Sequence, residues 1–156
     1  MHPTKSSRIG RLCSNRAVKI DQTIAINAPQ AKVWAVLVDV ESWPEWTASM
    51  EKVERLDDGP FGMGSRVRIK QPRFPALVWS VTAFEPGEYF AWHASARGVS
   101  TTAGHRVTAT DGGCSVTLSL DQGGPMSWLA GLLYKKVSRE YVDMEAQGLK
   151  RFSETA

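Results

Sequence analysis

After Gly123-Gly124-Pro125 the hydrophobic pattern of this chain changes period, and that change limits its architecture more than any other feature. Met126, Leu129, Leu133, Val137, Tyr141, Met144, Gly148 and Phe152 recur every three or four residues. That spacing predicts one amphipathic helix of about seven turns. Lys136, Glu140, Asp143 and Lys150 lie mostly off the stripe. A helix of this length can lie across a whole sheet, and its apolar stripe needs such a surface to cover it.

The preceding residues supply that surface. VKIDQTIAI alternates, with Val18, Ile20, Ile24 and Ile26 on one face and polar Gln22 in the same register; Asn27 and Pro29 end this strand. Pro29 suits a first helical turn, and Val33, Val36, Leu37 and Val40 follow at helical spacing. Asp39 and Ser42 are placed to cap a second short helix carrying Trp43 and Trp46 on one face. Strands are then expected at 52–56, 65–71, 77–84, 88–96, 100–110 and 115–120. They are separated by Asp57-Asp58-Gly59-Pro60, by Pro72 and Pro75, by Glu85-Pro86-Gly87 and by the hairpin turn Asp111-Gly112-Gly113. Adjacent short strands with tight turns predict an antiparallel meander. The fold class is therefore α+β: a curved antiparallel sheet of about six to seven strands, two short helices after the first strand, and a long C-terminal helix.

At 156 residues the chain is of one-domain size. Residues 1–16 read as a flexible basic leader, with Lys5, Arg8, Arg11 and Arg16, and 17–156 as one domain. Cys13 and Cys114 are far apart and lack the spacing of a zinc or redox pair, so neither a disulfide framework nor a metal site is expected. No stretch reaches the length of a membrane-spanning helix and the start lacks an apolar signal region, which points to a cytoplasmic protein. The formal charge of +3 is modest. The leader offers a possible contact for an anionic partner, but nothing resembles a DNA-reading helix or an RNA-binding signature, and nucleic acid is not expected as a partner.

The strand registers assign side chains to a concave face: Val67 and Ile69; Trp79, Val81 and Ala83; Phe90, Trp92, Ala94 and Ala96; His105, Val107 and Ala109; Val116, Leu118 and Leu120. Arg66, Arg68 and Lys70 point the other way and read as a solvated outer face. Small members of the inner face leave room for a ligand, or equally let a bulky helix come close. Gln71, His105 and Tyr141 are the polar groups aimed inward. His105 is the sharpest of them, because imidazole exchanges protons near neutral pH; a neutral histidine satisfied by a backbone carbonyl is the plainer reading. His93 falls on the outer face. Six tryptophans are scattered over helices and strands, which favours core and wall positions over a cofactor site. No nucleophile elbow, metalloprotease helix or phosphate loop is present, and no cofactor is expected.

Four segments together carry a family resemblance: INAPQAKVWAVLVDVESWPEW, GSRVRIKQP, VWSVTAFEPGEYFAWHASARGVSTTAGHRVTAT and GGPMSWLAGLLYKKVSREYVDMEAQGLKRF. In order and spacing they resemble the polyketide cyclase/dehydrase branch of the START-like (SRPBCC, Bet v 1-like) superfamily over residues 18–155. The resemblance implies a helix-grip fold in which sheet and final helix enclose a hydrophobic cavity. Its lining would combine Val67, Ile69, Gln71, Trp79, Val81, Phe90, Trp92, Ala94, His105, Val107, Leu118 and Leu120 from the sheet. Trp46, Met126, Leu129, Leu133, Val137 and Tyr141 would come from the helices, and the mouth would lie near Trp43, Trp46 and Phe61-Gly62-Met63-Gly64.

Three functions remain open on these residues. The first is binding or transport of a small hydrophobic molecule that is lipid-like, polyketide-like or aromatic. A second is a cyclase or aromatase using His105 or Tyr141 for proton transfer, where positioning alone lowers the barrier. The third is an interaction domain with a filled interior.

Overall fold

The computed structural model of the chain describes residues 18–155; the basic leader and Cys13 lie outside them. The elements run β1 (Val18–Ile26), α1 (Gln30–Val38), a 3-10 segment (Val40–Glu45), β2 (Lys52–Arg55), β3 (Arg66–Lys70), β4 (Leu77–Glu85), β5 (Tyr89–Ala96), β6 (Val99–Thr110), β7 (Gly113–Gly123) and α2 (Ser127–Thr155). The strands form one antiparallel sheet in the order β1-β7-β6-β5-β4-β3-β2. All neighbours but β1 and β7 are consecutive in the chain, as a meander requires; β7 returns to pair with β1 along its whole length. With α2 laid against the sheet, this is the helix-grip arrangement.

The second short helix is a 3-10 segment rather than an α-helix, with Pro44 inside it. Asp39 does not cap it through its side chain: the carboxylate accepts the Ser42 hydroxyl at 2.7 Å, and the backbone carbonyl takes the Ser42 N–H at 3.1 Å. Trp43 is fully buried, and its indole N–H donates to the Leu37 carbonyl at 3.0 Å. A large apolar ring is thereby buried with its one polar atom satisfied.

A β-bulge interrupts β4 between Val81 and Ala83. Strict alternation puts Ala83 on the concave face; the extra residue reverses the phase after Val81, so that Phe84 pairs with Phe90 instead. Phe84 packs against Trp34 and Phe61, with ring centres 5.7 and 6.2 Å apart. On the outer face each basic residue of β3 has a carboxylate neighbour: Arg66 with Asp57 at 2.9 Å, Arg68 with Glu54 and Lys70 with Glu51, both at 3.5 Å.

The C-terminal half of α2 is the anchored half. Its buried residues include Tyr141, Val142, Ala146, Gly148 and Leu149. Polar contacts fix its flank to β1: Gln22 donates to Asp143 at 3.0 Å, Lys150 donates to the Ala25 carbonyl at 3.0 Å, and Glu154 accepts the Asn27 N–H at 2.8 Å. The odd polar residue in the β1 pattern, Gln22, thus serves the helix rather than the core. Gly148 brings α2 so close to the 3-10 segment that a Cβ there would stand 2.0 Å from the Trp46 carbonyl oxygen.

In an ordinary helix interior, replacing glycine with alanine stabilises by about 1 kcal/mol. At Gly148 the sign reverses, because the obstacle is backbone. Gly148→Ala is expected to destabilise the fold by about 2–3 kcal/mol and to lower Tm by roughly 5–10 °C in a thermal melt; a melt unchanged or raised would show that α2 and Trp46 are not in this contact.

Candidate functional site

The space between sheet and α2 is filled at one end and open at the other. At the filled end Trp43 packs against Trp46, Trp92 and His105 with ring centres 5.1–5.4 Å apart. Phe61 stands edge-on to Phe90 at 5.2 Å. His105 belongs to this cluster: it stacks on Phe90 at 4.3 Å, and its Nδ1 lies 3.3 Å from the Phe90 carbonyl. Burial pushes its pKa down to about 4, with the carbonyl working weakly the other way, so near neutral pH the ring carries no charge. Geometrically this is the histidine satisfied by a backbone carbonyl.

At the open end lies a cavity of about 120 Å³. Ile69, Leu77, Trp79, Trp92, Ala103 and Leu120 contribute its sheet wall, and Ser138, Tyr141, Val142 and Glu145 its helix wall. Phe74 and exposed Pro75 from the β3–β4 loop mark the mouth. Phe74 meets Tyr134 and Tyr141 of α2 edge to face, with ring centres 5.2 and 5.9 Å apart. The loop and the helix thus meet through aromatic side chains where the mouth closes.

The polar groups of the cavity are Gln71, Thr101, Gln122, Ser138, Tyr141 and Glu145. The Tyr141 hydroxyl donates to the Pro72 carbonyl, and burial raises its pKa further. It is thus a phenol held protonated and already engaged. Gln122 donates to Thr101 at 3.4 Å, while its side-chain carbonyl is buried without a partner. Glu145 is the unusual member. The residue as a whole is half-buried, but desolvation at the cavity wall pushes its carboxyl up to about 8, with no neighbouring charge to offset the cost. Near neutral pH it is mostly a neutral acid, able to donate one hydrogen bond.

Six of the residues assigned to the lining from sequence border this space: Ile69, Gln71, Trp79, Trp92, Leu120 and Tyr141. Val67, Val81, Phe90, Ala94, His105, Val107 and Leu118 do point to the concave side, but there they are buried in close-packed core. Trp46 packs over Gly148 and borders a separate surface groove with Lys32, Val36, Asp39 and Phe152. Met126 and Leu133 are exposed, while Leu129 and Val137 are half-buried outside the lining. The cause is the angular phase of α2. Its buried face runs through Ser138, Val142 and Leu149, to one side of the stripe drawn through Leu129, Leu133 and Val137. The expected mouth near Trp43 and Phe61 is the sealed end.

Glu145 was not singled out in the sequence, where a lone helical glutamate reads as solvated. One signal was available: it lies four residues after Tyr141, so an inward Tyr141 carries Glu145 toward the same side. Among the described residues no group of three potential ligands is placed to hold a metal ion, and none of their helices is long and apolar enough to cross a membrane.

Comparison with known proteins agrees with this architecture. The family described as polyketide cyclase/dehydrase and lipid transport matches residues 17–154. Among solved structures, an aromatase/cyclase from Streptomyces sp. R1128 superposes with a TM-score of 0.73 at 18% identity, covering 88% of this chain and 93% of that one. A hypothetical protein from Helicobacter pylori gives 0.77 at 14% identity, over 98% and 99% of the two chains. A START superfamily protein from Mycobacterium smegmatis gives 0.67 at 14%, over 87% and 97%. At such identities the structural likeness speaks for the fold alone, a START-like helix grip, and the family match carries the rest: the chain belongs to the polyketide cyclase/dehydrase and lipid-transport family.

Proposed function

We propose that the chain is a cytoplasmic binding or carrier protein for a small hydrophobic molecule whose apolar body sits in the cavity and whose polar end meets Glu145. The observation that carries this reading is the Glu145 carboxyl, its pKa raised by desolvation, facing a space whose apolar wall of Ile69, Leu77, Trp79, Trp92 and Leu120 is broken by only a few polar groups. A pocket with apolar walls and a few converging polar groups is the common form of a small-molecule site. Removing the guest's apolar surface from water supplies about 25 cal/mol per Å², and the Glu145 proton selects a guest presenting a hydrogen-bond acceptor, such as a ketone or phenol oxygen.

Size narrows the guest. About 120 Å³ is close to the roughly 150 Å³ that accepts a single benzene ring in an apolar cavity, and well short of the roughly 300 Å³ of an ordinary ligand pocket. One ring fits the space as it stands. A lipid or a multi-ring polyketide requires the Phe74–Tyr134 contact to part, which moves aromatic side chains without breaking a strand ladder.

A second reading, an enzyme of the cyclase or aromatase type, is favoured by the same carboxyl. An acid that keeps its proton near neutral pH and touches the guest can deliver it to a developing enolate. Among the sequence-derived candidates, Tyr141 borders the cavity with its hydroxyl engaged, and His105 is packed away from it. The two readings separate in one experiment: native mass spectrometry and thermal-shift screening against lipids, flavonoids and aromatic polyketides, followed by turnover assays on whatever binds. Binding without turnover supports the carrier. Turnover abolished in Glu145→Gln with binding retained supports the enzyme, and failure of every apolar probe to bind the folded protein overturns both.

Two pH predictions follow from the cavity and the aromatic cluster. Glu145 has its folded pKa raised from 4.5 to about 8, so between those values the unfolded chain ionises while the folded one does not, and stability falls as pH rises. Glu145→Gln is therefore expected to raise Tm most near pH 8 and hardly at all near pH 4.5. The affinity of wild type for acetophenone, a ring-sized ketone that does not ionise, is expected to weaken above about pH 8, as the donor is lost, and to be flat with pH in the glutamine variant. His105 has the opposite slope: its folded pKa is lowered from 6.5 to about 4, so stability is lost as pH falls through that window. His105→Gln should flatten the acid limb of a Tm–pH curve and leave acetophenone binding within about twofold, since the ring does not touch the cavity; loss of binding in a folded variant would place His105 in the site.

A further inference from the structure

The first turns of α2 carry a surface that the cavity does not use. Trp128, Leu132 and Leu133 are 59%, 76% and 61% exposed, and Met126 is 39% exposed. After Ser127 the next buried residue of the helix is Ser138, so this half of α2 leaves a large apolar face uncovered. Lys135, Lys136 and Arg139 follow directly, and no acidic residue occurs between Asp121 and Glu140.

Two further cations flank the face. Exposed Arg97 adjoins the start of α2, where the Gly98 carbonyl accepts the Met126 N–H at 3.0 Å. Exposed Arg73 sits on the β3–β4 loop, close enough to Tyr141 to act on it electrostatically. Among the described residues none of these five cations is paired with a carboxylate.

We propose that this half of α2, from Met126 to Arg139 with Arg73 and Arg97 beside it, is a docking surface for an anionic lipid bilayer, seated with the cavity mouth toward the lipid. Apolar side chains followed along the helix by lysine and arginine match the two layers of a bilayer interface. Trp128, Leu132 and Leu133 enter the boundary between headgroups and acyl chains, while the cations reach the lipid phosphates.

A second copy of the chain fits the surface poorly. Two-fold pairing through this face would gather Lys135, Lys136 and Arg139 of both copies into one interface, with no acidic residue between Asp121 and Glu140 to offset them. The position adds a consequence. Tyr134 belongs to the same turns of α2 and touches Phe74 at the mouth, so docking of this end of the helix brings the cavity opening close to the bilayer. Docking itself does not depend on what the cavity holds. The guest's route between bilayer and cavity does, and it rests on the binding reading above.

The test is co-sedimentation of the full chain with vesicles of three parts phosphatidylcholine to one part phosphatidylglycerol, against phosphatidylcholine alone. Binding is expected to the mixed vesicles, severalfold weaker to the neutral ones, and reversed by salt. Trp128 is the most exposed indole among the described residues, so tryptophan emission should shift to the blue on binding. Trp128→Phe should abolish the shift while retaining most of the sedimentation. Leu132→Glu, at a solvent-facing position, should keep the wild-type melt and weaken vesicle binding about tenfold or more.

Absence of sedimentation with the mixed vesicles overturns the proposal, as does binding indifferent to Leu132→Glu. Sedimentation equilibrium showing a dimer that Leu132→Glu dissociates, without vesicle binding, assigns the face to a second copy instead. Ligand screening by thermal shift contains no vesicles, so failure of the cavity reading and failure of the docking surface are read separately.

Discussion

The close approach of α2 to the Trp46 backbone at Gly148 decides how the long helix lies on the sheet. No side chain fits between them, and β1 holds the same half of the helix through Gln22, Ala25 and Asn27. A rigid helix pinned at one end has little freedom at the other. The space beneath its middle is consequently left to whatever side chains reach into it, and there the structure keeps an opening rather than a packed core.

Aromatic packing divides the interior in two. Trp43, Phe61, Phe90, Trp92 and His105 interlock at offset and edge-on angles, the arrangements that aromatic rings prefer. Trp92 stands at the boundary, in contact with Trp43 on one side and lining the cavity on the other. His105 and Glu145 fall on opposite sides of it, and desolvation acts on each in the direction that keeps it neutral: down for the imidazole, up for the carboxyl. Only the carboxyl borders space that a guest can occupy. One physical effect thus gives a structural residue in one place and a chemically available one in the other.

Much of the architecture was legible in the sequence because it rests on local periodicity. The alternation of β3, the hairpin at Asp111-Gly112 and the switch of period after Pro125 each depend on neighbours a few residues away. They predicted the meander, the strand count and the final helix. The site was legible only in part. Ile69, Gln71, Trp79, Trp92, Leu120 and Tyr141 were assigned inward and do border the cavity. Phe74 and Pro75 sit in a loop without periodicity, and Glu145 looked like any other solvated helix charge.

What the sequence determined by itself, then, was which segments become strands and helices and which face of each strand is apolar, since period-2 alternation and turn residues are properties of the local chain. The tertiary structure alone decided three further things. The bulge after Val81 turned Phe84 inward, because one residue added to a strand reverses every later side chain. The Gly148 contact set the rotation of α2, and a helical stripe read from sequence leaves that angle undetermined by tens of degrees. The packing of distant rings settled that His105 is sealed and Glu145 faces open space, a difference in burial that no spacing along the chain encodes.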